Sequence, residues 1–289
     1  MKPPPFDYED PATVEEALDL LAQRGADGKV LAGGQSLVPL LNFRLTRPEV
    51  LIDVNGLQSL AYVRRDRGIL RIGALTRHAT LERSPLVREH WPLLADAVRW
   101  VGHPQIRNRG TVGGSAVHAD PTAELPVALT ALDATFTVRS RRGERTLTCA
   151  EMFRSALESG LEDDELLIEI AVPPMPAQRG WAFEEYARRH GDFALGGAAV
   201  ALSFDGDGTC RDAAIALLGA GPRPLRACAA ERALAGERVV SQTAAQAAAE
   251  AVRDVAPTGD IHGGSGYRRD LIEALVRRAL LAAARRGAT

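Results

Sequence analysis

The 289-residue chain is predicted to be an α+β protein of two domains. Three observations lead there. The length is close to twice a typical domain of about 150 residues. Helical spacing and short apolar runs share the sequence up to Ala134, after which two-residue alternation takes over. Three helical stretches then close the chain, so helices and strands do not alternate as a regular βα array. No repeat of the solenoid kind is visible.

The elements follow in order. Thr13 and Glu16 form a capping-box pattern ahead of Val14, Ala17, Leu18 and Leu21, which recur at helical spacing, and Gly25 supplies the stop. Lys29-Val30-Leu31-Ala32 is a short strand that breaks at Gly33-Gly34. Val50 to Val54 and Ile69 to Ile72 read as further strands, with a helix after Thr76. An amphipathic helix over about Leu93 to Val101 runs into a loop, His103 to Arg109, that ends in a second glycine turn at Gly113-Gly114. Phe136 and Val138, alternating with Thr135, Thr137 and Arg139, mark a half-buried strand. Leu166 to Val172 is another, stopped by Pro173, Pro174 and Pro176, because proline cannot continue a central ladder. That proline-rich stretch divides a first domain, 1–175, from a second, 176–289. Strands near Trp181 to Tyr186, Ala194 to Phe204 and Arg211 to Leu218 follow, the last two joined by a hairpin turn at Asp205-Gly206-Asp207-Gly208. Helices around 227–235, 242–255 and 267–284 complete the chain, the last with Leu271, Leu275, Ala279 and Leu280 on one face.

Composition narrows the function. Apolar residues make up 46% and charged residues 25%, as in an ordinary globular protein. Thirty-five basic against 37 acidic residues leave a net charge of −2, so no broad electrostatic footprint for nucleic acid or an anionic membrane exists. Arg64-Arg65 and the run Arg139 to Arg142 read as solvated faces. No apolar run is long enough to span a membrane, and the amino-terminal segment lacks the apolar core of a signal peptide, so a cytoplasmic protein is expected. Cys149, Cys210 and Cys228 lie far apart without CxxC spacing, which argues against a disulfide framework, a zinc site or an iron–sulfur cluster in this chain. They read as small buried or half-buried residues.

Two glycine segments are the most informative: Ala32-Gly33-Gly34-Gln35-Ser36 and Thr111-Val112-Gly113-Gly114-Ser115. Paired glycines permit positive φ and bring the backbone close to a ligand, and consecutive N–H groups in such a turn can bind phosphate oxygens. Two such loops would clasp a diphosphate from two sides, with Ser36, Thr111 and Ser115 adding hydroxyl donors. A plain turn is the simpler reading of any single Gly-Gly pair, and it is preferred for Gly196-Gly197 and Gly263-Gly264. Lys29 stands out because only two lysines occur against 33 arginines. Neither GxGxxG after a strand nor GxxxxGK[ST] is present, so no Rossmann site or P-loop is supported.

These segments, together with His118-Ala119-Asp120-Pro121-Thr122-Ala123-Glu124-Leu125-Pro126, Arg188 to Ala194 and Tyr267 to Leu271, resemble the FAD-binding medium subunit of molybdenum hydroxylases, the family of bacterial xanthine dehydrogenase and aerobic carbon monoxide dehydrogenase medium subunits. Five motifs in register cover essentially the whole chain. The resemblance implies a two-lobed FAD-binding domain of the vanillyl-alcohol-oxidase/PCMH type and a C-terminal domain with an antiparallel sheet and three helices. It assigns Lys29, Val30, Leu31, Ala32, Gly33, Gly34, Gln35, Ser36 and Leu37 to the first FAD-binding loop, and Thr111, Gly113, Gly114 and Ser115 to the second. Glu124 matches an acidic position for the ribose or adenosine part, Val101 and Leu166 or Leu167 match apolar positions near the flavin, and Phe193 matches an aromatic against the ring system. One departure is that many relatives carry a lysine in the strand that here reads Ala182-Phe183-Glu184-Glu185-Tyr186, where two carboxylates stand instead.

The other polar residues offer no rival chemistry. His118 and Asp120 lack the further ligands that a zinc site needs, and Asp120-Pro121 reads as shaping the loop that carries Glu124. No nucleophile elbow occurs. Trp91, Trp100 and Trp181 suit core or interface positions. The resemblance implies electron transfer: a large partner subunit holding molybdenum with its pterin-type cofactor, a small partner holding 2Fe–2S clusters, FAD in this chain, an external acceptor, and a dimer of heterotrimers. Two alternatives stand beside it, a self-sufficient flavoprotein oxidase or reductase and a non-catalytic nucleotide-binding scaffold.

Overall fold

The computed structural model describes residues 2–176 and 179–287. The amino-terminal lobe is a parallel sheet built from β1 (Asp7–Glu9), α1 (Val14–Arg24), β2 (Gly28–Leu31), α2 (Leu37–Asn42) and β3 (Val50–Asp53), in the strand order β1-β3-β2. Thr13 caps α1 by accepting the N–H of Glu16, and Gly25 ends the helix at φ 52°, as the sequence pattern predicts. Ala17, Leu18 and Leu21 face Val50 and Ile52 in the core of this lobe.

The second lobe begins with β4 (Val63–Asp66) and β5 (Ile69–Gly73). Six short helices follow: α3 (His78–Arg83), α4 (Pro85–His90), α5 (Pro92–Val98), α6 (Pro104–Arg109), α7 (Val112–His118) and α8 (Glu124–Ala131). The chain then forms β6 (Thr135–Ser140), β7 (Gly143–Thr148), α9 (Cys149–Met152), the small hairpin β8 (Phe153–Ser155) with β9 (Glu158–Ser159), and β10 (Leu166–Val172). Five strands join in the order β4-β5-β10-β6-β7. In β6 the buried residues are Phe136, Val138 and Ser140, the alternation read from the sequence.

Beyond the prolines, β11 (Arg179–Tyr186), β12 (Gly196–Phe204), β13 (Cys210–Leu218) and β14 (Leu225–Arg226) form an antiparallel sheet in sequence order, followed by α10 (Cys228–Leu234), α11 (Ser241–Val252) and α12 (Ser265–Gly287). The three helices cover one face of this sheet, where Ala182, Val200 and Ile215 meet Ile272, Val276 and Leu280. The other face packs on α5 and α8, so that Phe183, Ala199, Ala216 and Leu218 share a core with Leu94, Val98, Val127 and Ala128. A sheet buried on both faces explains why β12 is rich in small apolar residues.

Three expectations need correction. His103 to Arg109 is not a loop, because Pro104 starts a helix at a position where its missing N–H costs nothing. Gly113-Gly114 is not a turn but the first turn of α7, capped by Thr111, whose hydroxyl accepts the Gly114 N–H. Cys228 is exposed, whereas Cys210 is buried and Cys149 half-buried.

Candidate cofactor-binding site

The first glycine segment leaves the end of β2 and doubles back into α2. Gly34 turns with φ 73°. Gly33 lies against the backbone that precedes Thr111: a Cβ there would stand 2.5 Å from the Arg109 carbonyl oxygen and 2.7 Å from Gly110 Cα. The first glycine segment is therefore in direct contact with Gly110, 77 positions on and next to the second segment, and only glycine allows it. Among the described residues, no acceptor claims the backbone N–H groups of Gly34, Gln35, Ser36 or Leu37. Four consecutive free donors around a left-handed residue form the kind of concavity that receives phosphate oxygens.

The loop is pinned from behind by residues that the sequence reading missed. Asn55 Nδ2 donates to the Ala32 carbonyl at 2.7 Å, and Arg77 donates to Asn55 Oδ1 at 2.7 Å and to the Arg109 carbonyl. Asp53 accepts from the Asn55 N–H at 2.8 Å and from the Tyr8 hydroxyl at 2.6 Å. One chain of polar contacts thus holds β2, β3 and the α6–α7 junction in register. The only sequence signal was Asn55-Gly56 directly after a strand, a common turn pair.

At the second segment the backbone donors are spent. Val112 N–H goes to the Thr76 carbonyl, Gly113 N–H to the Ala74 carbonyl, Gly114 N–H to Thr111 Oγ1 and Ser115 N–H to the Thr111 carbonyl. Gly113 serves close packing, since a Cβ would lie 2.6 Å from the Ala74 oxygen. What this segment can offer a ligand is hydroxyl. Ser115 Oγ lies 3.1 Å from His78 Nε2, which also reaches the Thr111 carbonyl at 2.9 Å. A carbonyl only accepts, so Nε2 carries a proton. Burial, with Arg107 and Arg77 adding to it, lowers His78 to about 4. His78 Nδ1 is buried without a partner.

Past α7 the charges form a continuous run. Lys29, exposed on β2, disfavours protonation of His118 at the end of α7, after burial and against the opposing pull of Asp120. Asp120 Oδ1 accepts from the Thr122 N–H at 2.8 Å and its hydroxyl at 2.7 Å, the turn expected to shape this loop. Pro121 fastens the loop to the C-terminal sheet by accepting the Gly219 N–H. Glu124 then opens α8, and its charge adds to burial in raising Glu185 of β11. Burial raises Glu124 to about 7, with Asp120 adding to it.

The remaining expected residues are placed differently. Val101 and Leu167 are buried in the second-lobe core, 9% and 3% exposed. Phe193 stands on the β11–β12 connection, 77% exposed, away from any ring partner among the described residues. Trp91 is a core residue whose Nε1 donates to the Pro173 carbonyl at 2.7 Å, and Trp181 stacks under Arg286 between the two parts of the chain. The residues present fit a dinucleotide diphosphate: free N–H donors at Gly34 to Leu37, hydroxyls at Ser36 and Ser115, and no carboxylate within the first loop.

A parallel lobe, an antiparallel lobe and a phosphate-type nest locked between them define a dinucleotide-binding chain with a second, sheet-and-helix domain. Comparison with known proteins sharpens this. Residues 4–175 match the family described as FAD binding domain in molybdopterin dehydrogenase, and residues 181–283 match the CO dehydrogenase flavoprotein C-terminal domain. The chain is 47% identical over 286 residues to the 6-hydroxypseudooxynicotine dehydrogenase complex subunit alpha of Paenarthrobacter nicotinovorans, covering 99% of this chain and 97% of that one. It is 37% identical to the carbon monoxide dehydrogenase medium chain of Hydrogenophaga pseudoflava, with 98% of each covered. Its structure superposes on a carbon monoxide dehydrogenase chain from Hydrogenophaga pseudoflava with a TM-score of 0.96 at 39% identity, covering 99% of both chains. Against quinoline 2-oxidoreductase from Pseudomonas putida 86 the TM-score is 0.95 at 38% identity, covering 100% of both. The chain belongs to the FAD-binding medium subunits of the molybdenum hydroxylases and is an oxidoreductase subunit.

Proposed function

We propose that this chain carries electrons from the 2Fe–2S clusters of a small partner subunit, through its FAD, to an external acceptor. A large molybdenum-bearing partner oxidises the substrate, and the complex is a cytoplasmic dimer of heterotrimers. The observation that carries this reading is the nest of free N–H groups at Gly34 to Leu37, held against Arg109-Gly110. Support for partners comes from the relative named as a subunit of a dehydrogenase complex.

FAD, when bound, accepts electrons singly and delivers them in pairs, which suits it to a place between iron–sulfur clusters and a two-electron acceptor. The chain's residues do the holding. In this reading residues 1–175 bind the dinucleotide and 176–289 close over it. Lys29 to Leu37 line the diphosphate, with N–H donors that need no reorganisation when the charge arrives. Thr111, Gly113, Gly114 and Ser115 form the opposing wall, Ser115 by its hydroxyl and the glycines by leaving room. Glu124 reaches toward the sugar and Phe193 provides apolar surface to the ring system, with Val101 and Leu167 backing the site from the core. No side chain of this subunit has to act as acid or base on the substrate.

The test is to purify the tagged chain gently from its native host, record the visible spectrum, and release and identify the chromophore. FAD with co-purifying chains and broad iron–sulfur absorption is the expected result. FAD with no co-purifying chain would favour a self-sufficient flavoenzyme. Absence of flavin even after added FAD would overturn the reading.

A further inference from the structure

His78 opens α3, is 3% exposed, and has one ring nitrogen engaged and the other not. With Arg77 it takes up three consecutive carbonyls leading into the second glycine segment. The Arg77 guanidinium donates to the Arg109 carbonyl, and the His78 N–H donates to the Gly110 carbonyl at 3.0 Å. His78 Nε2 donates to the Thr111 carbonyl at 2.9 Å. Gly110 is also the residue against which Gly33 of the first loop packs. His78 is therefore the buried polar side chain behind the point where the two segments meet.

The surroundings of the ring select one tautomer. Nδ1 is buried without a partner, and that edge lies against Gly110, where a Cβ would stand 2.8 Å from both Nδ1 and Cε1. A proton on Nδ1 would be a buried donor with no acceptor, a costlier defect than an unused lone pair. A proton on Nε2 meets the Thr111 carbonyl instead. Nε2 then has no lone pair to offer, so Ser115 Oγ, 3.1 Å from the same nitrogen, can only accept from it. The hydrogen of the Ser115 hydroxyl points elsewhere, and among the described residues no acceptor takes it. Ser115 is half-buried while His78 and Thr111 are buried, so this hydroxyl stands where the packed interior meets the surface.

We propose that His78 is a positioning residue for the cofactor: its Nε2–H, shared between the Thr111 carbonyl and Ser115 Oγ, fixes the Ser115 hydroxyl as a donor to a diphosphate oxygen of FAD. This rests on the FAD reading above, which makes Ser115 a ligand-facing residue. A serine hydroxyl by itself can donate or accept and rotates to suit its neighbours. Once Oγ accepts from a ring N–H, its own proton is left to donate, and an anionic oxygen is the acceptor that gains most from it. Such a donor is what this wall can still contribute, because its backbone N–H groups are spent.

The test uses the isolated complex, stripped of FAD and reloaded, with FAD affinity read by flavin fluorescence at neutral pH. Ser115→Ala should weaken FAD binding by about tenfold or more, as expected for a hydrogen bond to a charged group. His78→Leu, which fills the space without a donor, should weaken it by a comparable factor. His78→Gln, whose amide nitrogen can stand in for Nε2, should restore most of that loss. The double variant of Ser115→Ala with His78→Leu should bind no more weakly than Ser115→Ala alone, because a histidine that acts through Ser115 then has nothing to act on. A packing role gives another pattern, with Leu and Gln equally weak and the two losses multiplying in the double variant. Either result overturns the proposal, as does Ser115→Ala with wild-type affinity, and each leaves the FAD reading intact. Should His78→Leu fail to assemble, His78→Asn, which places its amide on the Nδ1 side, takes its place in the cycle with the same expectations. Failure of the wild type to bind FAD overturns both.

Discussion

A single methyl group at position 33 would separate two segments that the site needs in contact. Gly33→Ala must displace the Arg109–Gly110 backbone, and overpacking of this kind costs about 1–3 kcal/mol. A lower unfolding midpoint together with reduced FAD content is expected; a variant with wild-type flavin occupancy would mean that the contact is not needed. Titrating residues leave their own signatures. Glu185 has its pKa raised from 4.5 to about 9, so the folded chain keeps a proton that the unfolded chain has released. Its contribution is most favourable below about pH 4.5 and is lost as pH climbs toward about 9. Glu185→Gln should therefore raise the thermal midpoint, and by more at pH 8 than at pH 5. His78 has the opposite sign, because its pKa falls from 6.5 to about 4. Stability tied to it is lost as pH drops from about 6.5 toward 4, and His78→Gln should flatten that acid limb in denaturant titrations at pH 5 and pH 7.5.

At the scale of elements, α7 shows how a motif can be recognised while its structure is misread. Paired glycines suggest a turn, yet Thr111 at the cap and a β-region φ of −117° start a helix there. The N–H groups of Val112, Gly113 and Gly114, which a helix start leaves open, are taken by Thr76, Ala74 and Thr111, so α7 packs against β5 and presents hydroxyls. Thr111→Ala should cost about 1 kcal/mol through loss of the cap, and Thr111→Ser should recover most of it, measured by chemical unfolding. The first loop behaves as the sequence suggests because its donors end at a strand edge with nothing opposite. The anchors behind it, Asn55 and Arg77, were illegible: each belongs to an unremarkable local sequence and acquires its role from residues 22 and 32 positions away. Short helices such as α2 and α8 were also missed, since six to eight residues give too few turns for periodicity to register.

At the scale of the molecule, the antiparallel sheet serves two masters. Its outer face holds α10, α11 and α12, and its inner face completes the core around α5 and α8. Residues 1–175 expressed alone would expose Leu94, Val98, Val127 and Ala128 to water, and are expected to aggregate or bind a hydrophobic dye where the full chain does not. A soluble, dye-silent fragment would show that the two parts are energetically independent. Arg139 and Arg141 tie the second lobe to Glu15 and Asp19 of α1 at 3.0 and 2.8 Å, so the basic run read as a solvated face also links lobes. Exposed pairs of this kind stabilise little and mainly set orientation.

The sequence by itself determined the α+β class, the alternating strand β6, the strand β10 up to its prolines, the cap and stop of α1, and the family, because all of these rest on local spacing or on motifs contiguous in the chain. Only the tertiary structure decided that Gly33 touches Gly110, that the second glycine pair is helical with its donors spent, and that Glu185 is buried. Those depend on which surfaces the packed lobes bring within a few ångströms of each other, and a carboxyl such as Glu185 changes its chemistry only when packing removes it from water.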